Sequence, residues 1–174
     1  AGIDKDIGAA LAAQGVPGAG FDSLRYFWSA RTPEGLAADL DRLIRYYAAR
    51  WQRSEVILIG FSQGADVLPF ALNRLPERTR ASVRLTALLA PAQKASFEFK
   101  VGNWLGASGD QPVLPEAQKL HAATALCVYG KEEKQSLCPQ LSAQQARVVM
   151  LPGAHHFDGD FVGLAGRILK AAGP

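Results

Sequence analysis

Glu55-Val56-Ile57-Leu58-Ile59-Gly60-Phe61-Ser62-Gln63-Gly64-Ala65-Asp66 is the stretch that decides how this chain is read. Four branched aliphatic residues in succession, with no polar face, predict a strand over Glu55–Gly60 that is buried on both sides. From Gln63 the apolar spacing becomes helical and runs to Asn73, and Pro76 stops it. The change from strand to helix therefore happens inside Gly60-Phe61-Ser62-Gln63-Gly64. Glycines two residues either side of Ser62 remove side chains where strand and helix cross. The serine then takes a strained turn that lifts its hydroxyl clear of the sheet. Ser62 is the candidate nucleophile, and the backbone N–H of Gln63, at the positive end of the helix, is the candidate oxyanion donor.

The same alternation extends along the chain. Helices are predicted over Asp4–Gln14, closed by Gly15, and over Pro33–Trp51, capped by Thr32. A short strand is expected over Val16–Asp22. Further strands are expected over Arg84–Ala90, Ala123–Gly130 and Arg147–Leu151, with a closing helix over Phe161–Ala172. This pattern predicts an α/β fold: a mainly parallel sheet flanked by helices on both faces, forming a single domain over residues 1–174. An α/β domain rarely opens on a helix, so one or more N-terminal strands are expected to be missing. Residues 93–121 carry Gly102, Gly106, Gly109, Pro112 and Pro115 without a clear period, and are read as a cap or lid over the sheet.

Composition narrows the function classes. The 174 residues are 48% hydrophobic and 20% charged, with a formal net charge of +3. No apolar run approaches the ~20 residues of a membrane span. The arginines are scattered rather than clustered, so nucleic acid is not an expected partner. Weak attraction to an anionic lipid surface is compatible with this charge. Cys127 and Cys138 are too few for a disulfide scaffold and lack the spacing of a zinc site, and no metal is expected. From spacing alone, a bridge between them and two unrelated thiols are equally good readings.

A serine nucleophile needs a base and an acid. His155 and His156 follow the last strand in Pro152-Gly153-Ala154-His155-His156-Phe157, and the order serine, acid, histidine suits this arrangement. Counting three residues from Gly153 selects His156 as base and leaves His155 to line the pocket or orient its neighbour. His121 reads as an exposed residue at a helix end. The acid should follow Gly130 in Tyr129-Gly130-Lys131-Glu132-Glu133-Lys134. Three residues on stands Glu133, with Glu132 as the alternative. Asp66, one turn beyond Ser62, either binds a substrate ammonium group or bonds a neighbouring backbone group. Asp160 reads as the N-cap of the last helix. Trp28 and Arg25 either line the site or pack the domain edge. This chemistry requires no cofactor.

Several longer stretches go beyond the nucleophile motif. They are Phe21-Asp22-Ser23-Leu24-Arg25-Tyr26-Phe27-Trp28, Arg31-Thr32-Pro33-Glu34, Gly60-Phe61-Ser62-Gln63-Gly64-Ala65-Asp66-Val67-Leu68-Pro69, Tyr129-Gly130…Cys138 and Gly153-Ala154-His155-His156-Phe157-Asp158-Gly159-Asp160. On these the chain resembles the bacterial VirJ/AcvB virulence-protein family over nearly its whole length. The resemblance implies an α/β-hydrolase fold, a periplasmic location and a Cys127–Cys138 bridge. It also implies association with virulence or type IV secretion and hydrolysis of aminoacyl-phosphatidylglycerol. Family members carry a strand and a Gly-Asp-Gly-Gly-Trp-like loop ahead of the position of Ala1. The expectation is a serine esterase acting on a small-molecule or lipid-headgroup ester, with peripheral membrane contact and secretion-system proteins as possible partners. The alternatives are a general carboxylesterase or thioesterase, and a non-catalytic interaction module of a secretion system.

Overall fold

The computed structural model describes residues 2–98 and 109–174. Four parallel strands form the main sheet in the order β1 (Val56–Phe61), β2 (Val83–Leu89), β5 (Ala125–Gly130), β6 (Arg147–Leu151). Side chains alternate between its faces. Leu85, Ala87 and Leu89 of β2, with Leu126 and Val128 of β5, point to one core, and Leu88 and Cys127 point to the other. Both cores need a cover. On the first face α1 (Ile3–Ala12) contributes Ile3, Ile7 and Leu11, and α7 (Phe161–Ala172) contributes Leu164, Ala165 and Ile168. On the second face α3 (Pro33–Trp51) and α4 (Gln63–Arg74) contribute Leu36, Ile44, Leu68, Phe70 and Leu72.

Local chemistry sets the helix ends. The Thr32 hydroxyl accepts the Gly35 N–H at 3.0 Å ahead of Pro33 in the first turn of α3. The Asp160 carboxylate likewise accepts the Gly163 N–H at 2.9 Å, the capping role its position predicts. Residues 16–22 correct one expectation, because they form no strand. Pro17, Gly18 and Gly20 disfavour a ladder, and Asp22 instead caps the short helix α2 (Ser23–Tyr26) by accepting the Arg25 N–H at 3.0 Å. The 93–121 segment is partly described. Its flanks form an antiparallel pair, β3 (Lys94–Ala95) with β4 (Gln111–Pro112), and α6 (Leu114–Ala117). The buried Glu116 ties α6 to α4 through Arg74 at 3.0 Å and Asn73 at 2.7 Å. Residues 99–108, the middle of the expected cap or lid, lie outside the described residues. The remaining short helix, α5 (Glu77–Ala81), lies between α4 and β2.

Two ties brace the edge of the sheet at which all four strands end. The first is a disulfide between Cys127 of β5 and Cys138, closing a loop 11 residues on. The second is Asp66. Of its two readings, binding a substrate ammonium group or bonding a backbone group, the structure shows the latter. Asp66 is 8% exposed, and its Oδ1 accepts the Ala92 N–H at 2.7 Å, pinning α4 to the turn after β2. That turn in turn holds the disulfide loop, since Leu137 N–H donates to Pro91 O at 2.9 Å and Ala92 bridges Ser136.

Replacing both Cys127 and Cys138 by serine should cost about 2–3 kcal/mol of unfolding free energy, the entropy of a loop this short, as read by urea denaturation. Asp66 predicts a pH effect. Burial pushes its carboxyl up to about 7, opposed by the Ala92 hydrogen bond. The folded chain therefore keeps this proton after the unfolded chain has lost it. The stabilisation is complete below about pH 4 and is lost as pH rises to about 7, by about 4 kcal/mol at most. Asp66→Asn keeps an acceptor for Ala92 without the charge. The variant should match the parent at pH 4 and exceed it at pH 7.5 in urea denaturation.

Candidate active site

Parallel strands deliver all their C-terminal ends to one edge, so the loops after β1, β5 and β6 meet there. The first of them is Ser62. Its backbone stands at φ 53° and ψ −121°, a conformation that non-glycine residues rarely hold. It is held from both sides: Ser62 N–H donates to Leu89 O at 3.0 Å and Ser62 O accepts the Asp66 N–H at 3.0 Å. A Cβ on Gly60 would lie 2.5 Å from the Gly64 carbonyl oxygen, so strand and helix cross too closely for any side chain there. Ser62 occupies the N-cap position of α4, yet its hydroxyl makes no capping bond, which leaves Oγ free of that task. Gln63 opens α4, where helix geometry gives its N–H no intrahelical acceptor. Its side-chain amide donates to Ser96 O at 3.2 Å.

The second loop carries the acid. Glu133 is largely buried. Its Oε2 accepts the Gly130 N–H at 2.8 Å and its Oε1 lies 2.6 Å from His155 Nδ1. Glu132 is exposed, and its backbone N–H bonds Gly153 O at 3.1 Å, tying the acid loop to the histidine loop. The two loops approach so closely at Gly130 that a Cβ there would clash with Ala154 O.

The third loop carries both histidines, and here the structure corrects the pairing expected from sequence. Glu133 binds His155 rather than His156. Both rings flank Phe61, His155 at 4.9 Å and His156 at 5.6 Å between centroids. His156, however, is exposed and opens the short 3₁₀ turn Phe157–Gly159. The reason is the next residue. Phe157 is 2% exposed and takes φ 52° to enter the core beside α7, which turns His156 outward and leaves His155 facing the acid loop. The buried Phe157 is the one sequence signal that bears on this choice, but an adjacent pair of histidines hides it. With Nδ1–H donated to Glu133, the neutral His155 ring keeps Nε2 as a proton acceptor.

The remaining candidates lie apart from this group. Trp28 is 70% exposed, in an open groove with Asp22, Leu24 and Arg25. His121 is exposed beyond α6. Among the described residues no group of three or more His, Cys, Asp or Glu side chains is gathered to hold a metal ion.

Comparison with known proteins agrees with this architecture. A crystal structure from Xanthomonas campestris pv. campestris, assigned to the alpha/beta hydrolase superfamily, superposes with a TM-score of 0.55 at 18% identity. It covers 97% of this chain and 86% of its own. The thioesterase domain from the curacin biosynthetic pathway superposes with a TM-score of 0.56 at 15% identity, covering 95% of this chain and 85% of its own. At such identities the likeness is one of fold. No curated protein matches the chain. The model of the family described as bacterial virulence protein (VirJ) matches residues 1–173, and on that nearly complete match this chain belongs to the VirJ family, built on the α/β-hydrolase fold.

Proposed function

We propose that the chain is a serine esterase in which Ser62 is the nucleophile, His155 the general base and Glu133 its orienting acid. The observation that carries this reading is the Glu133–His155 bond of 2.6 Å, with the His155 ring packed on Phe61, the residue before the strained Ser62. In this mechanism Ser62 Oγ attacks the ester carbonyl and passes its proton to His155 Nε2. Glu133 stabilises the imidazolium, and the Gln63 N–H binds the oxyanion. The imidazolium then protonates the leaving alcohol. Water clears the acyl-enzyme by the same route, so no group is consumed.

For substrate we propose an aminoacyl ester of phosphatidylglycerol, acted on in the periplasm in a setting of virulence or type IV secretion. Family membership supports this, as does the Cys127–Cys138 disulfide, since such bonds persist in oxidising compartments. Because Asp66 is buried and occupied, recognition of the aminoacyl ammonium group falls to other residues in this reading.

Ser62→Ala should abolish fluorophosphonate labelling and lower ester hydrolysis by about three orders of magnitude or more, with the melting temperature scarcely changed. An active Ser62→Ala protein would overturn the esterase reading. His155→Ala should lose activity on the same scale, whereas His156→Ala should stay within about tenfold of the parent. The opposite ranking of the two histidine variants would return the base to His156. Lysyl-phosphatidylglycerol should be cleaved in preference to short acyl esters and acyl thioesters when rates are compared under one assay condition. Faster thioester turnover would remove the lipid substrate while leaving the triad standing.

A further inference from the structure

Among the described residues seven large hydrophobic side chains are exposed, and three of them, Phe21 (41%), Leu24 (53%) and Trp28 (70%), fall within eight residues of sequence. Leu24 in α2 and Trp28, two residues beyond its end, line one open groove with Asp22 and Arg25. The backbone beneath them is firmly held. Asp22 caps the turn, Phe27 is 1% exposed and packs edge-on against Phe97, and the Tyr26 hydroxyl donates to Asp39 at 2.5 Å. Aromatic and aliphatic groups held on an ordered backbone meet a partner without the cost of ordering a loop.

Charge says what kind of partner fits. Arg25 and Arg31 are both exposed here, and the Arg31 guanidinium lies 4.5 Å above the Tyr26 ring. The one acid of the groove, Asp22, is engaged as the helix cap. A Trp–Phe–Leu surface edged by arginines suits the boundary between headgroups and acyl chains of an anionic bilayer, where Trp is favoured and guanidinium groups meet phosphate. No helix among the described residues is long and apolar enough to cross a membrane.

Position links this surface to the nucleophile. Gln63, next to Ser62, donates to Ser96 O; the following residue, Phe97, packs against Phe27 and accepts the Arg31 N–H at 2.8 Å. We infer that Phe21, Leu24, Arg25 and Trp28 form a docking surface for anionic phospholipid, seating the Ser62 edge of the sheet on the membrane. The inference rests on the lipid-ester reading for its purpose, but its test reads binding separately from catalysis.

The test is co-sedimentation with vesicles of phosphatidylglycerol and phosphatidylcholine, and with vesicles of phosphatidylcholine alone. The parent protein should bind the anionic vesicles, bind the neutral ones at least about fivefold more weakly, and be released by salt, since each interfacial arginine is worth roughly fivefold. Leu24→Ser combined with Arg25→Glu should weaken binding at least about tenfold. Its circular dichroism and its turnover of a water-soluble ester should remain at the parent's level. Ser62→Ala should bind vesicles like the parent, which separates a failure of docking from a failure of the esterase reading. Equal vesicle binding by the parent and the Leu24/Arg25 variant would overturn the inference. So would a parent that ignores anionic vesicles, or one whose Leu24/Arg25 surface instead pairs two copies of the chain in sedimentation velocity.

Discussion

The chain passes from strand to helix through a single strained residue, and much of the site edge is arranged around that turn. Ser62 holds φ 53° because its N–H completes the ladder with Leu89 while its carbonyl already accepts the first bond of α4. The two elements cross where Gly60 meets the Gly64 backbone, and only Gly60 lacks room for a methyl group there. A turn of this kind costs free energy, on the order of 1–3 kcal/mol, and persists only where packing over-determines it. Here the packing comes from the buried face of α4 against β1 and β2, and from Asp66, which fixes the first turn of the helix to Ala92.

The other two loops are positioned by each other as much as by the sheet. Lys131 N–H bonds Leu151 O and Glu132 N–H bonds Gly153 O, so the acid loop continues the pairing of β5 with β6 past the ends of both strands. The disulfide closes the same loop from below, and Leu137 is bonded to the turn that Asp66 holds. The Ser62 turn, the Glu133 loop and the histidine loop thus form one braced edge. A catalytic group supported in this way keeps its geometry without relying on its own side-chain rotamer preferences.

Apart from that braced edge stands a surface of different character. Residues 21–28 place their large side chains outward on a short capped turn, while Phe27 anchors the turn inward. The arrangement resembles neither a packed domain edge nor a closed pocket. Its connection to Gln63 through Ser96 and Phe97 links an apolar, arginine-edged surface to the turn that carries Ser62.

Much of the fold was legible in the residues. Runs such as Arg84–Ala90 and Ala123–Gly130, alternating with helical spacing, point to a parallel sheet covered on both faces, and these are its two central strands, whereas the edge strand β6 leaves Val148 and Met150 exposed. The strained serine was legible too, since strand, glycines and helix together leave one backbone solution, and Glu133 stood at the right distance from Gly130. Residues 16–22 were misread because their small apolar residues suit a strand, but no neighbouring strand pairs with them. Which histidine meets Glu133, and whether Asp66 faces solvent or core, depended on contacts between residues far apart in sequence. Phe157 turns inward and so reverses the order suggested by counting from Gly153. Asp66 faces a backbone N–H supplied by a turn 26 residues away. Local pattern determined most of the elements and the residue types that gather at the sheet edge. Only the tertiary structure decided which of two adjacent histidines meets Glu133, because neighbours in a tight loop differ in direction and not in pattern.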